Sequence, residues 1–234
     1  MKLIVNSDDF GLTPGVNYGI IDGLKRGILR STTAMTNMPA IQHAAQLSFE
    51  NPDLGVGIHL VLTAGRPLVS GHKTIVDEHG NFLKNAALLK KNDVDIEEVY
   101  REYVAQMEKF IAVFKRKPTH IDGHHHTHAI PQTVEATKRL AKTYGIDYIR
   151  AIDPKVKFVS DFYAAQTTVE DLINKLEANK QETTVELMCH LAFLDVDLMA
   201  VSSYNSPRLQ ELSTLIDPRV YEWVKQNKVE LTHF

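Results

Sequence analysis

Hydrophobic positions along the chain alternate between short continuous runs and longer stretches with helical spacing. Residues 2–7 (KLIVNS) are a continuous apolar run closed by polar residues, the pattern of a buried strand. Thr13-Pro14 supplies an N-cap and a first-turn proline, and Val16, Ile20, Ile21 and Leu24 give the following helix an apolar face. Residues 28–35 (ILRSTTAM) are β-branched enough for a second strand. A second helix is expected over 39–50, stopped by Asn51-Pro52, and a third strand over 55–62. The clearest helix spans 96–115, where Ile96, Val99, Tyr103, Met107, Phe110 and Phe114 keep helical spacing. Further strands are expected at 118–122, 146–150, 184–190 and 229–234, with helices over 131–144, within 168–179 and from Asp217-Pro218 onward. Residues 63–94 break the rhythm: they carry Gly65, Pro67, Gly71 and Gly80, with hairpin pieces around 74–83. So long an irregular stretch is uncommon unless it is functional.

Strands alternating with helices predict a parallel sheet in an α/β chain. About seven strands fit either an open, doubly wound sheet or a barrel. The polar residues favour the barrel. Ser7, Asp8 and Asp9 follow strand one, His59 is near the end of strand three, and Asp122 with several histidines follows strand four. Arg150 ends strand five and His190 ends strand six. Such ends converge only at the C-terminal face of a barrel. The expectation is a distorted (β/α) barrel of about seven parallel strands. Residues 1–234 then form a single catalytic domain with an irregular insertion at about 63–94.

Composition narrows the partners. The 26 Lys and Arg against 29 Asp and Glu leave a net charge of −3, which argues against nucleic acid. The lone Cys189 excludes an internal disulfide and is compatible with a reducing compartment. No apolar run reaches the roughly 18–20 residues of a membrane helix. The segment MKLIVNSDDFG meets acidic residues too early for a secretory signal, so a cytoplasmic location is expected. One count stands out: of eleven histidines, five lie in residues 120–128.

Two adjacent carboxylates, Asp8-Asp9, repel each other just past a buried strand unless a cation compensates them. One could ligate a metal while the other stays free as a base; a helix cap near Thr13 is the simpler alternative. HIDGHHHTH (120–128) is rich in the commonest metal ligand. If it stays extended, His120, Asp122, His124, His126 and His128 share one face and His125 points away. His59 and His190, taken singly, fit buried polar residues, although His190 could exchange protons near neutral pH. Arg150 and Arg208 are candidate contacts to anions or substrate hydroxyls, with a surface salt bridge as the simpler role for each. The chain has no G-x-G-x-x-G, P-loop or G-x-S-x-G motif, which argues against nucleotide cofactors and serine hydrolysis. The Asp and His set points to metal-assisted hydrolysis.

NSDDFGLTPGVNYGI, GIHLVLTAGRPL, KPTHIDGHHHTH and ELMCHLAF, in that order, resemble the YdjC-like carbohydrate deacetylases over residues 3 to about 215. The resemblance implies a barrel related to polysaccharide deacetylases and one divalent metal ion held by Asp9, His59 and His124. It leaves Asp8 as the base and makes His190 the general acid. Magnesium is the ion implied by resemblance, while two imidazoles and a carboxylate also suit zinc. Asp122, His126 and His128 would orient ligands or meet sugar hydroxyls. The substrate would be a short N-acetylated amino-sugar oligosaccharide such as chitobiose, and a homodimer is left open. One departure stands out: relatives typically carry proline after the sixth-strand histidine, and this chain has Leu191. A two-metal phosphoesterase, or a sugar- or metal-binding protein without turnover, are the rival readings.

Overall fold

The computed structural model describes all 234 residues, Met1–Phe234. Seven parallel strands form one sheet: β1 (Lys2–Phe10), β2 (Ser31–Ala34), β3 (Gly55–Leu60), β4 (Ile121–Gly123), β5 (Lys157–Val159), β6 (Thr184–Cys189) and β7 (Glu230–Leu231). Their order is β4-β3-β2-β1-β6-β5, and β7 pairs with the start of β1 at Lys2 and Leu3. Ile149 adds a single parallel bridge to Ile121 on the outer side of β4. Read around the axis, the strands follow chain order from β1 to β4, then Ile149, β5, β6 and back to β1. Only the step from Ile149 to β5 lacks ladder hydrogen bonds. The sheet is a barrel open along one seam, as the placement of polar strand ends implies.

Nine helices surround it: α1 (Pro14–Arg26), α2 (Ile41–Glu50), α3 (Asn85–Lys90), α4 (Ile96–Phe114), α5 (Val134–Tyr144), α6 (Val169–Ala178), α7 (Val196–Val201), α8 (Ser206–Leu215) and α9 (Pro218–Gln226). The caps follow the sequence. Thr13 Oγ1 accepts from Val16 N, and Thr168 with Asp171 forms a reciprocal capping box. Two expectations change. The strand expected at 146–150 shrinks to the Ile149 bridge, where Ile121 N donates to Tyr148 O and Arg150 N to Ile121 O, while the Arg150 side chain turns inward to Asp8. The seam strand β5 and the helices α3, α7 and α8 carry no long periodic pattern and were not expected from the sequence.

Polar stripes on two helices set the walls of the barrel mouth. On α4, Glu98, Glu102 and Gln106 recur every four residues on the buried side. Glu102 accepts from the backbone N–H groups of Leu68 and Val69, and Glu98 from those of Lys73 and Thr74. Gln106 Oε1 accepts from Val61 N and its Nε2 donates to Val61 O, which fixes the end of β3. The 63–94 segment, irregular apart from a Val76–Phe82 bridge and α3, is thus held by carboxylates rather than by a ladder. On α1, Gly15, Gly19 and Gly23 also recur every four residues, and the chain after β6 lies directly on them. A Cβ on Gly19 would stand 2.5 Å from Ala192 Cα. Phe193 N donates to Gly15 O at 3.0 Å, closing the contact.

Gly19→Ala is therefore expected to overpack this contact and cost about 1–3 kcal/mol. In a thermal melt, Tm falls by about 2–4 °C per kcal/mol for a chain of this size. An unchanged Tm would show that the chain after β6 can retreat freely.

Candidate active site

Adjacent strand residues normally point to opposite faces. Between Ser7 and Phe10 the β1–β2 register slips, and Asp9 takes a left-handed φ of 72°. The bulge turns Asp8 and Asp9 into one buried cluster. A second left-handed turn follows β4. The chain leaves the strand at Gly123 into a short turn, with φ of 55° at His125 and 57° at His126. The segment therefore does not stay extended, and its histidines part company.

Asp9, His59 and His124 come together, their ligand atoms all within 4.8 Å of one another. His124 Nδ1 lies 3.1 Å, and His59 Nε2 3.4 Å, from Asp9 Oδ1. Two of the three donors have a partner behind them: Arg208 donates to Asp9 Oδ2 at 2.7 Å, and His59 Nδ1 to Asp122 Oδ1 at 2.7 Å. One carboxylate and two imidazoles, two of the three oriented from behind in this way, fit a divalent cation. Burial opposes charge on His59, but Asp122 and Asp8 outweigh it and hold the imidazolium up to about 10. A cation there replaces a positive charge the cluster already attracts.

Arg150 is fully buried. Its two terminal nitrogens donate to Asp8 Oδ2 at 2.7 Å and Oδ1 at 2.8 Å, and Nη1 also lies 2.7 Å from Asp122 Oδ2. Its Nε donates to Glu186 Oε1 at 2.7 Å. Burial raises both aspartates, but Arg150 prevails and keeps Asp8 and Asp122 below the ordinary carboxylate range. Glu186, with burial as the larger effect, is pushed up to about 7. Asn6 Nδ2 donates a third hydrogen bond to Asp8. Asp8 is therefore ionised and clamped, with about one of its four lone-pair sites free.

Three residues expected to touch substrate, His128, Arg150 and Arg208, are placed otherwise, and Asp122 takes the ligand-orienting one of its two expected roles. Asp122, His128 and Arg150 have no exposure, and Arg208 is 3% exposed. Asp122 orients His59, Arg208 holds Asp9, and His128 Nε2 donates to the Arg150 backbone oxygen at 3.0 Å. Neither arginine makes the surface salt bridge that the sequence suggested. Each is drawn inward because a buried carboxylate would otherwise be unpaired. His126 is half-buried, edge-on to Phe158, and stays near the cleft. His120 sits apart from the cluster, packed against the Phe234 ring, and burial depresses it to about 3.

His190 follows β6 across the cleft. Its backbone N–H donates to Glu211 Oε2, and its Nδ1 is buried with no hydrogen-bond partner, 3.9 Å from the same carboxylate oxygen. Burial lowers His190 to about 4 and raises Glu211 to about 8. Leu191 does not loosen this loop. Its side chain is buried against Gly23, and its N–H donates to Ser7 Oγ at 3.0 Å, a bond that proline could not supply. Sequence reasoning missed Glu186 and Glu211. Glu186 had a signal, a lone charge amid the apolar residues of β6; Glu211, on a weakly patterned helix, had none.

The family model for YdjC-like proteins matches residues 2–226. The chain belongs to the YdjC-like family. Within it, a carbohydrate deacetylase of Clostridium beijerinckii is 42% identical, covering 100% of this chain and 99% of that protein. A chitooligosaccharide deacetylase of Yersinia enterocolitica is 40% identical, covering 96% and 94%. The crystal structure of an Enterococcus faecalis V583 protein, named for cellobiose-phosphate cleavage, superposes with a TM-score of 0.90 at 31% identity, over 99% of this chain and 97% of that one. A peptidoglycan N-acetylglucosamine deacetylase shares the fold, with a TM-score of 0.58 at 12% identity, over 100% of this chain and 86% of its own. The YdjC-like barrel is thus of the polysaccharide-deacetylase type, open along one seam.

Arg150→Met would leave Asp8, Asp122 and Glu186 buried without their cation. The expected loss is about 3–5 kcal/mol at neutral pH. Without Arg150 the carboxylates titrate above their unfolded values, so the loss shrinks as pH falls and they take up protons. Urea melts at pH 7.5 and pH 5 read both effects; a pH-independent loss would contradict the electrostatic account.

Proposed function

We propose that the protein is a metal-dependent hydrolase that removes N-acetyl groups from short amino-sugar oligosaccharides such as N,N′-diacetylchitobiose. The supporting observation is the meeting of a three-donor cluster, Asp9, His59 and His124, with a separate ionised carboxylate, Asp8, that belongs to none of its bonds. The names of the Clostridium and Yersinia relatives support the same reaction.

A divalent ion held by Asp9, His59 and His124 would supply Lewis acidity, polarising the amide carbonyl and acidifying water. Asp8, clamped by Arg150 and Asn6, takes a proton from the water that attacks the carbonyl carbon. The C–N bond breaks, acetate leaves, and His190 delivers a proton to the departing amine. Burial, with the charges of Arg208 and His59, favours the neutral His190 ring, and Asp8 and Asp9 are the charges that favour its protonated form. His126 is the histidine of its segment placed to meet a sugar hydroxyl. We assign one ion per chain; reconstitution with magnesium or zinc distinguishes the ion implied by resemblance from the one two imidazoles suit. We place the enzyme in the cytoplasm, acting on short imported sugars. A two-metal phosphoesterase is disfavoured because Arg150 already occupies the Asp8–Asp122 pair where a second ion would sit.

Metal-reconstituted protein is expected to release acetate from N,N′-diacetylchitobiose. Asp8→Asn should lower kcat by about 10²–10⁴ with metal still bound. A near-wild-type rate in Asp8→Asn would remove Asp8 from the base role, and no acetate from any N-acetylated sugar would overturn the reaction itself.

A further inference from the structure

Beside His190 stands a tyrosine pair that the reaction does not use. Tyr163 and Tyr204 stack nearly parallel, with ring centroids 4.3 Å apart and an interplanar angle of 5°. Each ring is 5.6 Å from the His190 ring and roughly edge-on to it. His190 therefore lies beside the stack, equidistant from both rings, and not on its axis. Tyr204 covers one face of Tyr163, while Tyr163 is 44% exposed.

The stack is fixed from several sides. Tyr204 Oη donates to Glu211 Oε1 and accepts from Ala164 N at 2.8 Å, one residue past Tyr163. The Tyr204 backbone oxygen accepts from Arg208 Nε at 2.7 Å, and the same arginine holds Asp9. One chain of contacts thus links the exposed ring to a proposed metal ligand. An aromatic ring left this exposed gains little for stability, yet its partner is hydrogen-bonded into the site. Rigid aromatic faces give apolar contact at low entropic cost, which suits the C–H face of a pyranose.

We propose that Tyr163 is the platform for the sugar unit next to the one carrying the reacting acetamide, an inference that rests on the deacetylase reading. His190 lies to the side of the stack, so a pyranose laid on the free face of Tyr163 at the same 4.3 Å spacing has its ring centre about 8 Å from that of His190, against 5.6 Å for Tyr163. That is too far to present its own nitrogen to His190, and is the place of the neighbouring unit. Tyr163 then selects for chain length. A disaccharide engages it and a monosaccharide does not.

Binding is measured by isothermal titration in the metal-loaded Asp8→Asn protein, where the sugar stays intact, so the result does not depend on turnover. Tyr163→Ala is expected to weaken N,N′-diacetylchitobiose about tenfold and N-acetylglucosamine by less than about twofold. Tyr163→Phe should restore the disaccharide, and Tyr163→Leu should not. Equal weakening of both sugars, no weakening of the disaccharide, or no sugar binding before Tyr163 is changed would each overturn the platform. Tyr163-dependent disaccharide binding in a protein whose wild type releases no acetate would leave the platform standing and remove the deacetylase reading instead.

Discussion

Arg150 enters the barrel beside its one unladdered seam and meets Asp8, Asp122 and Glu186 with no water between. Three carboxylates packed together in a dry interior would repel one another and lose their hydration. One guanidinium, with its fixed fork of donors, satisfies all three and spans strands β1, β4 and β6. The barrel interior is therefore held by a charge arrangement as well as by apolar packing. The same arrangement keeps Asp8 ionised, leaves Asp122 Oδ1 to orient His59, and, in the proposed one-ion site, occupies the space a second cation would need.

Around that centre, local backbone geometry separates residues that lie side by side in the chain. Asp8 and Asp9 differ in partners because the bulge in β1 and the left-handed turn at Asp9 direct one toward Arg150 and the other toward His59 and His124. The turn after β4 does the same for the histidines: His124 joins the donor cluster, while His128 descends to hold the Arg150 backbone. Strained conformations at both turns are consistent with function, since each persists only where surrounding contacts over-determine it.

Much of this was legible in the sequence, and the exceptions have physical causes. The strands with continuous apolar runs and the long periodic helix α4 were readable because burial on one or both faces leaves a strong pattern. The seam residues 146–159 were not, since a single bridge and three short strand residues leave almost no periodic trace. Asp8, Asp9, His59, His124 and His190 were visible as chemistry at strand ends. The buried partners were misread because a pair such as Asp9–Arg208 joins residues 199 positions apart, and nothing in composition or spacing tells an arginine in the interior from one on the surface. The polar stripe of Glu98, Glu102 and Gln106 was hidden by the apolar positions interleaved with it.

In the proposed site, Arg150 fills one of two cation positions and leaves the other to a single ion. An anomalous-difference map from crystals of the metal-reconstituted protein tests this directly. The expected map has one peak per chain, between Asp9, His59 and His124, with Arg150 still on Asp8. Two peaks roughly 3.5–4 Å apart, with Arg150 displaced from Asp8 and Asp122, would contradict it and restore the two-metal reading.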